Sequence, residues 1–314
     1  MEENIMLTIY CLSFNHSKYL RKTLDGFISQ KTQYKYEVIL HDDASTDESQ
    51  NIIKEYANKY PQIIKPIFQK QNQYSKGVKF YNTFIKPQLR GKYISQCEGD
   101  DFWCDPNKIE LQISYLEKHP ECSLCVANTR KIDESGKDIN SLFNKCNKEM
   151  DYCADDVIAA GGGGLFHTST FMYRQSLRDE MPSDFKMKGI GDYPLAIYLA
   201  TRGNVHYFPQ IMSKYRVSSI GSWSSQASSK KEYIDRCLLF INELEKLNSL
   251  TNYLYNEAFQ KAITRYEYCI LYKENHFFKV LSKKYRVFLF EKGIMLGLKS
   301  IVKLMIKGML HWER

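Results

Sequence analysis

The sequence predicts an α/β protein with a mostly parallel sheet flanked by helices, followed by a helical C-terminal extension. Short apolar runs alternate with amphipathic helical patterns from the first residues to Glu117, which is typical of a parallel α/β sheet. The first run, Met6–Leu12, is almost continuously apolar, as in a strand covered on both faces. From Lys230 onward, apolar residues recur at helical spacing and no strand pattern is present.

The composition narrows the class of protein. Of the 314 residues, 43% are hydrophobic and 14% aromatic, which suits a sizeable core and argues against global disorder. The formal net charge of +8 favours anionic partners such as nucleotides, acidic lipids or acidic glycans, although ordinary solvated lysines explain much of it. The sequence carries no aromatic-basic RNA signature and no zinc-finger spacing, so no nucleic-acid partner is expected.

The cysteines predict a reducing compartment. There are nine, an odd and scattered set, and the pair Cys122 and Cys125 has no second pair at zinc-binding spacing. Glu2 and Glu3 precede the first strand, so no signal peptide is predicted, and no uncharged run is long enough to span a bilayer. We therefore expect a cytoplasmic protein, either free or at the inner face of the membrane.

The first four strands alternate with helices. The strands are predicted at the apolar runs Met6–Leu12, Tyr36–Leu40, Ile63–Phe68 and Tyr93–Cys97. Helical patterns begin at Ser17, then after Thr46 or Asp47, either of which can cap the helix, and again at Val78. Because Pro66 cannot donate a backbone hydrogen bond, the third strand is expected to be irregular or at a sheet edge.

Further elements follow the fourth strand. Asp105 as N-cap and Pro106 as first helical residue predict a helix that ends at Lys118. Residues 131–152 are polar and indicate an excursion or a flexible hairpin, and the four glycines at 161–164 indicate a linker. The remaining predicted elements are the strands Ser123–Asn128, Thr168–Tyr173 and Val205–Phe208 and the helix Leu195–Thr201.

A change of character near Ser225 predicts a domain boundary, with an α/β domain at residues 1–225 and a helical region at 226–314. Near the end, Lys299, Lys303 and Lys307 share one face of an otherwise apolar helix. A basic amphipathic helix can lie on an anionic membrane surface. A helix packed on the α/β domain or on a partner chain fits the same pattern, so peripheral membrane contact and oligomerisation both stay open.

Polar features collect at the predicted carboxyl ends of the strands. Phe14 and Asp43 follow the first two strands, and Asp100 and Asp101 follow the fourth. In open α/β sheets this edge is where ligands bind. Two adjacent carboxylates repel each other, and a divalent cation relieves that repulsion. The alternative is an acidic surface turn.

Five motifs, taken in order, resemble family 2 glycosyltransferases with the GT-A fold, of the kind that builds bacterial surface polysaccharides. They are Ser13-Phe14-Asn15, Asp42-Asp43-x-Ser45-Thr46-Asp47, Glu98-Gly99-Asp100-Asp101-x-Trp103, Gly191-Asp192-Tyr193-Pro194-Leu195 and Tyr215-Arg216-Val217. The resemblance covers about residues 5 to 225. It implies a GT-A catalytic domain.

The resemblance also implies a donor site. Leu12 and Phe14 would line the pocket for the nucleotide base, and Asp43 would recognise the base. Asp100 and Asp101 resemble the family's D-x-D-type pair, the second of which holds Mn²⁺ or Mg²⁺ between the two donor phosphates. The implied cofactor is therefore a divalent metal.

Two later residues have implied roles as well. Asp192 resembles the catalytic base, and Arg216 lies in a segment that closes over the donor. The family often has a His two residues after this Arg as a further metal ligand, whereas this sequence has Ser218. Water, His206 or His167 could take its place, and the sequence leaves the choice open.

The implied function is transfer of a hexose-type sugar from a nucleotide-diphosphate sugar to a hydroxyl of a glycan or lipid-linked acceptor. The family implies inversion of configuration and metal dependence. Two alternatives remain. A nucleotidyltransferase is disfavoured because no Gly-rich basic loop follows the first strand, and a catalytically silent nucleotide- or glycan-binding module is left open by Ser218. The missing G-x-G-x-x-G argues against a dehydrogenase.

Overall fold

The computed structural model describes residues 4–162, 165–217, 229–290, 299 and 301–306. The chain divides into two compact units. The first comprises Met1–Ala154, Gly163–Pro182 and Tyr198–Ser225, and the second comprises Asp155–Gly162, Ser183–Ile197 and Gln226–Arg314. Two segments from within the first 225 residues thus belong to the second unit. The assignment of catalytic and helical domains on either side of Ser225 stays a prediction.

Among the residues that the structure describes, ten strands form the sheet of the first unit. They are β1 Leu7–Ser13, β2 Tyr36–Asp42, β3 Ile64–Phe68, β4 Tyr93–Gln96, β5 Phe102–Trp103, β6 Cys122–Ile132, β7 Asp138–Leu142, β8 Met150–Tyr152, β9 Met172–Arg174 and β10 Asn204–Arg216. Their order is β3-β2-β1-β4-β9-β6-β10-β5, with β7 beside β6 and β8 beside β10. Strands β3, β2, β1 and β4 are parallel, while β9 runs antiparallel between β4 and β6. The predicted α/β class is confirmed, with a mixed sheet.

Ten α-helices with defined bounds accompany the strands among the described residues, and residues 301–306 are helical as well. They are α1 Ser17–Ile28, α2 Ser49–Lys59, α3 Lys108–Lys118, α4 Ala154–Ala159, α5 Gln175–Asp179, α6 Asp192–Ala200, α7 Lys230–Leu250, α8 Asn256–Lys273, α9 Phe277–Val280 and α10 Val287–Phe290. Helix α2 begins later than expected: Glu48 is its N-cap residue, and Asp47 accepts a hydrogen bond from the Ser49 N–H at 2.9 Å. Helix α3 likewise begins at Lys108, after Asn107.

Strand β10 is much longer than the predicted Val205–Phe208. Its parallel register with β6 shifts between Phe208 and Ile211, on either side of Pro209, which has no N–H to donate. Beyond this irregularity the strand continues to Arg216. Because Pro209 interrupts the apolar pattern, the sequence predicted only the first half of this strand. The second half brings the chain to the acidic residues after β4.

The core of the first unit lies between the sheet and helices α1, α2 and α3. Leu7, Ile9 and Cys11 of β1 are fully buried there, together with Leu24 and Phe27 of α1. The Phe27 ring also meets the Trp103 indole edge-to-face, with centroids 5.1 Å apart. This packing places the segment between β4 and β5 firmly against α1.

The second unit is helical. Helix α7 begins with a capping box between Ser229 and Glu232, and its buried face includes Phe240 and Leu244. Near the end of the unit, Leu304 is buried against Val280 and Leu289, while neighbouring apolar side chains (Val302, Met305 and Ile306) are exposed. Lys307 of the predicted basic face lies outside the described residues. Within the described part of the chain, no helix combines the length and apolar character needed to span a bilayer.

Lys108 is a buried cation in the first turn of α3. Its Nζ donates to Gln112 Oε1 at 2.6 Å and lies 4.0 Å from the centroid of the Trp103 ring. Burial lowers the pKa of this ammonium group from its ordinary value of 10.5 to about 7. The folded chain therefore bears a desolvation cost whenever Lys108 is charged.

We expect Lys108→Met to remove a pH dependence of stability. Between about pH 7 and 10 the unfolded chain binds a proton at Lys108 that the folded chain does not. The wild-type free energy of unfolding should therefore fall as pH decreases from 10 to 7, and this contribution should be constant below 7. Urea titrations at several pH values test this, with the exposed Lys118→Met on the same helix as control. A difference between Lys108→Met and wild type that is independent of pH would contradict the prediction.

Candidate active site

The loops after β1 and β2 are joined by side-chain hydrogen bonds. Asn15 has a φ of 55°, a conformation that Asn tolerates, and its Oδ1 accepts from the Thr46 N–H at 2.8 Å. The Ser45 Oγ accepts from the Asn15 N–H at 2.9 Å, and Asp47 accepts from the Ser17 N–H at 3.0 Å. The first two sequence motifs therefore build one platform at the carboxyl ends of two parallel strands.

Asp47 anchors this platform as a carboxylate. Burial acts to raise its pKa, but hydrogen bonds from Ser49 and Ser17 outweigh burial and lower the pKa to about 2. Asp42 at the end of β2 is buried and accepts from the Ser45 N–H and from Gln50 Nε2, at 3.0 and 2.8 Å. Both acids hold the loops, a role that motif matching alone did not reveal.

Asp43, expected to recognise the nucleotide base, is engaged with its own chain. It is 4% exposed, and its carboxylate accepts from the backbone N–H groups of Gln73 and Tyr74 at 2.7 and 3.1 Å. The loop after β3 is thereby tied to the end of β2. Of the two residues expected to line the base pocket, Phe14 is 43% exposed and Leu12 is half-buried on β1.

Several contacts hold the acidic loop between β4 and β5. The Leu12 carbonyl accepts from the Gly99 N–H at 3.0 Å. From α1, the Thr23 hydroxyl donates to the carbonyls of Gly99 and Asp101 at 3.0 and 2.6 Å. A Cβ atom at Gly99 would lie 2.6 Å from His16 Nδ1, so the glycine permits this close approach. The loop is therefore fixed against both β1 and α1.

Asp101 is the most deeply buried acid of this loop. It is 3% exposed, and its Oδ1 accepts from the Arg216 backbone N–H at 2.8 Å. Burial raises the pKa of Asp101 well above its usual range, and the neighbouring Asp100 raises it further. A buried carboxylate beside a second acid is an arrangement that a divalent cation stabilises, since hard oxygen atoms are the ligands such ions prefer.

Arg216, the last residue of β10, also holds the acidic loop in place. Its Nε donates to the Asp100 carbonyl at 3.1 Å, and its Nη1 donates to the carbonyls of Asp133 and Glu134 at 3.0 and 2.7 Å. The guanidinium also lies 4.2 Å from the centroid of the Tyr19 ring. The resemblance implied a donor contact for Arg216. In this structure its guanidinium joins three loop carbonyls.

The two histidines considered as metal ligands have different surroundings. His167 Nε2 lies 3.7 Å from Asp101 Oδ2, and burial lowers the pKa of this imidazole to about 3. His206 instead contacts Asp151 at 2.7 Å and Glu149 at 3.2 Å. Ser218 lies outside the described residues. Among the residues that are described, no three His, Cys, Asp or Glu side chains are grouped as a metal site.

A groove of about 460 Å³ opens beside the acidic loop. Its lining residues are Lys18, Tyr19, Lys22, Glu134, Ser135, Gly136 and Arg216. The two lysines lie one helical turn apart on α1, and both line the groove. Together with Arg216 they outnumber Glu134, the acid of this lining, so the net charge favours an anionic group in the groove.

Asp192, the expected base, belongs to the second unit. It begins helix α6, and its Oδ1 accepts from the Tyr193 N–H at 2.8 Å. Burial raises the pKa of Asp192 above its usual value. A carboxylate with a raised pKa is a stronger base, which suits the expected role.

Arg216→Lys should loosen the acidic loop. A lysine cannot reproduce the planar fork that reaches three carbonyls, so these part-buried acceptors would lose their donor. We expect the free energy of unfolding to fall by about 2 kcal/mol, measured by urea titration. Arg202→Lys is the matched control, since Arg202 is exposed and lies 5.0 Å from the centroid of the Tyr198 ring. Equal losses in the two variants would contradict a special role for Arg216.

Comparison with solved structures identifies the fold. The S. aureus protein TarS, residues 1–349 in complex with UDP-GlcNAc, aligns with a TM-score of 0.57 and 14% identity over 90% of this chain and 83% of TarS 1–349. The mannosyltransferase PcManGT from Pyrobaculum calidifontis, in complex with GDP-Man and Mn²⁺, aligns with a TM-score of 0.51 and 13% identity over 98% of this chain and 88% of PcManGT. The predicted GT-A fold is therefore confirmed.

Sequence relatives give the family. An uncharacterized protein of Mycobacterium tuberculosis is 34% identical over 228 residues, which are 72% of this chain and 63% of that protein's length. The chondroitin synthase of Escherichia coli is 30% identical over 139 residues, 44% of this chain and 19% of the synthase. The family model described as "Glycosyl transferase family 2" matches residues 8–181, more than half of the sequence. This chain belongs to glycosyltransferase family 2.

Proposed function

We propose that this chain transfers a sugar from a nucleotide-diphosphate sugar to a hydroxyl group of a glycan or lipid-linked acceptor. The observation that carries the proposal is the buried Asp101 beside Asp100, held at the carboxyl edge of the parallel strands in a family 2 fold. Two structural neighbours support the donor class, since TarS was solved with UDP-GlcNAc and PcManGT with GDP-Man. A hexose-type donor and a surface polysaccharide product are part of the proposal.

Asp101 and Asp100 are the residues that would hold a divalent cation, Mn²⁺ or Mg²⁺. The fit rests on the Asp101 carboxyl group, whose raised pKa reflects its burial beside a second acid. Such a cation would neutralise the negative charge that builds on the departing nucleotide diphosphate. The Mn²⁺ bound in the PcManGT complex supports this choice.

The remaining roles are assigned to residues of this chain. Leu12 and Phe14 would contact the nucleotide base, and Asp43 would accept a hydrogen bond from it. Arg216 would keep the acidic loop in place through its three carbonyl contacts. The lysine-lined groove next to Arg216 would attract an anionic part of the donor or acceptor.

Asp192 would act as the general base. It would take the proton from the acceptor hydroxyl as that oxygen attacks the anomeric carbon, on the face opposite the leaving diphosphate. Direct displacement of this kind inverts the anomeric configuration. Its raised pKa supports the assignment.

A panel of sugar nucleotides, incubated with the full chain and Mn²⁺ or Mg²⁺, tests the proposal. We expect release of nucleotide diphosphate from one donor, dependent on the cation and lost on addition of EDTA. Release of pyrophosphate from a nucleoside triphosphate and a sugar phosphate would indicate a nucleotidyltransferase instead. Nucleotide binding without any release, across donors and acceptors, would indicate a silent binding module.

Asp192→Asn tests the base. The amide keeps the shape of the side chain but cannot accept the proton, so we expect the turnover number to fall by about 10²- to 10⁴-fold. The dissociation constant of the donor, measured by calorimetry, should change little. The exposed Asp184→Asn in the same unit serves as the control. Weaker donor binding with unchanged turnover would reject the base role.

A further inference from the structure

His167 faces the buried acid of the proposed cation site. Its Nε2 lies 3.7 Å from Asp101 Oδ2, and the two side chains are 14% and 4% exposed. The other oxygen of Asp101 already accepts the Arg216 N–H. We propose that His167 Nε2 is a ligand of the divalent cation bound by Asp101, and that this imidazole makes the site prefer Mn²⁺ to Mg²⁺. The inference rests on the proposed function, because that function requires the cation.

The hydrogen bonds around His167 accommodate the tautomer that a metal ligand needs. Nδ1 lies 2.7 Å from Ser169 Oγ, and that hydroxyl donates its own proton to Ser213 Oγ at 2.9 Å. An Nδ1–H group that donates to Ser169 Oγ continues this series of hydrogen bonds. A second contact, from the Ser169 N–H to Nδ1, would need the opposite tautomer, but at 3.4 Å it is the weaker of the two. In the Nδ1–H tautomer, Nε2 carries the lone pair that a cation needs, 3.7 Å from Asp101 Oδ2.

Nε2 of His167 and the Asp101 carboxyl group face each other across a buried gap. At 3.7 Å the two atoms are too far apart for a direct hydrogen bond. Two metal–ligand bonds of about 2.1 Å each can span up to about 4.2 Å. The observed separation is thus within reach of a single bridging cation.

The imidazole is held in this orientation by its surroundings. Ser213, which accepts from Ser169, is itself hydrogen-bonded to Thr129 at 2.7 Å. The Ser169 carbonyl accepts from Trp103 Nε1 at 2.7 Å, which links the segment to β5. The ring also contacts the tilted rings of Tyr215 and Phe143, with centroids 4.4 and 4.9 Å away. Metal-binding histidines are characteristically fixed by a hydrogen bond at the second ring nitrogen in this way.

Three other histidines in the described part of the chain have a buried ring nitrogen, and none offers the same geometry. His41 Nε2 lies 3.0 Å from Gln69 Nε2, and its ring packs against Phe80 and Phe84. His206 lies between Asp151 and Glu149 and stacks on Tyr115, with centroids 3.5 Å apart. His16 has a buried Nδ1 without a hydrogen-bond partner among the described residues, but this atom faces Gly99. His167 is therefore the imidazole that the fold directs at the Asp101 carboxylate.

A histidine ligand carries a consequence for cation choice. Mg²⁺ favours a complete shell of oxygen ligands, whereas a nitrogen ligand shifts the preference toward transition metals. A site with one imidazole and one carboxylate should therefore bind Mn²⁺ more tightly than Mg²⁺. Without the imidazole, that preference should shrink.

Electron spin echo spectroscopy of Mn²⁺ bound to the full chain tests the ligand directly. We expect modulation from a coordinated ¹⁴N nucleus in the wild type, its loss in His167→Gln, and its retention in His16→Gln. Mn²⁺ bound to the wild type without nitrogen coupling would overturn the proposal, as would coupling that disappears only in His16→Gln. The wild-type spectrum alone decides the first point, so the test stands even if His167→Gln fails to fold.

Cation titrations provide the second measurement. We expect His167→Gln to weaken Mn²⁺ binding by about 10-fold or more, and to weaken Mg²⁺ binding less. The control is His119→Gln, whose imidazole is 40% exposed and pairs with Glu121. Equal losses for both metals, or no loss, would overturn the proposed preference. These binding measurements are independent of sugar transfer, so a chain that binds Mn²⁺ through nitrogen but transfers no sugar would refute only the proposed function.

Discussion

The hydrogen bond from the Arg216 backbone N–H to the buried Asp101 carboxylate is the constraint on which the candidate site depends. It joins residues 115 positions apart, the last residue of β10 and the loop between β4 and β5. The guanidinium of the same arginine adds contacts with three loop carbonyls. One residue thereby fixes both the acid and the loops around it, so the acid can stay buried in one orientation.

The rest of the first unit can be understood as support for this contact. Thr23 of helix α1 holds the acidic loop by a hydrogen bond to the Asp101 carbonyl. The edge-to-face contact between Phe27 and Trp103 fixes the residues that follow the loop. Strand β10 must reach Arg216 despite Pro209, and it does so through a register shift against β6. The irregular strand is therefore what allows a distant part of the sequence to reach the acids.

Much of the fold followed from periodicity and turn signals. Apolar runs located the parallel strands β1 to β4, and the carboxyl-edge rule located Asp43, Asp100 and Asp101 at one side of the sheet. Strand β9 was not predicted as antiparallel, because three residues carry too little pattern to show direction. Motif resemblance gave Arg216 a donor contact, but not its carbonyl contacts, since backbone acceptors leave no trace in a sequence.

In the candidate site as well, the sequence named the residues, while tertiary contacts determine their surroundings. Sequence alone could name His167 and His206 as alternatives, because any imidazole near a strand could serve. Their surroundings differ through tertiary contacts: one faces Asp101, and the other lies between two carboxylates on or next to the short strand β8. Similarly, Asp42 and Asp43 are adjacent in sequence but have different partners. The Asp42 carboxylate accepts from the Ser45 N–H, whereas the Asp43 carboxylate accepts from the Gln73 N–H in the loop after β3.

The engagement of Asp43 has a thermodynamic consequence for ligand binding. Its carboxylate accepts from the backbone N–H groups of Gln73 and Tyr74 and is almost fully buried. A nucleotide base that bound this acid as proposed would therefore compete with the protein's own loop. The measured affinity would then be the intrinsic affinity multiplied by the fraction of molecules in which the loop has released Asp43. By linkage, the bound nucleotide would in turn favour the released loop. The segment after β3 would then act as an internal competitor for Asp43. Substitutions in this segment would change the affinity for the base even where the substituted residue does not contact the base.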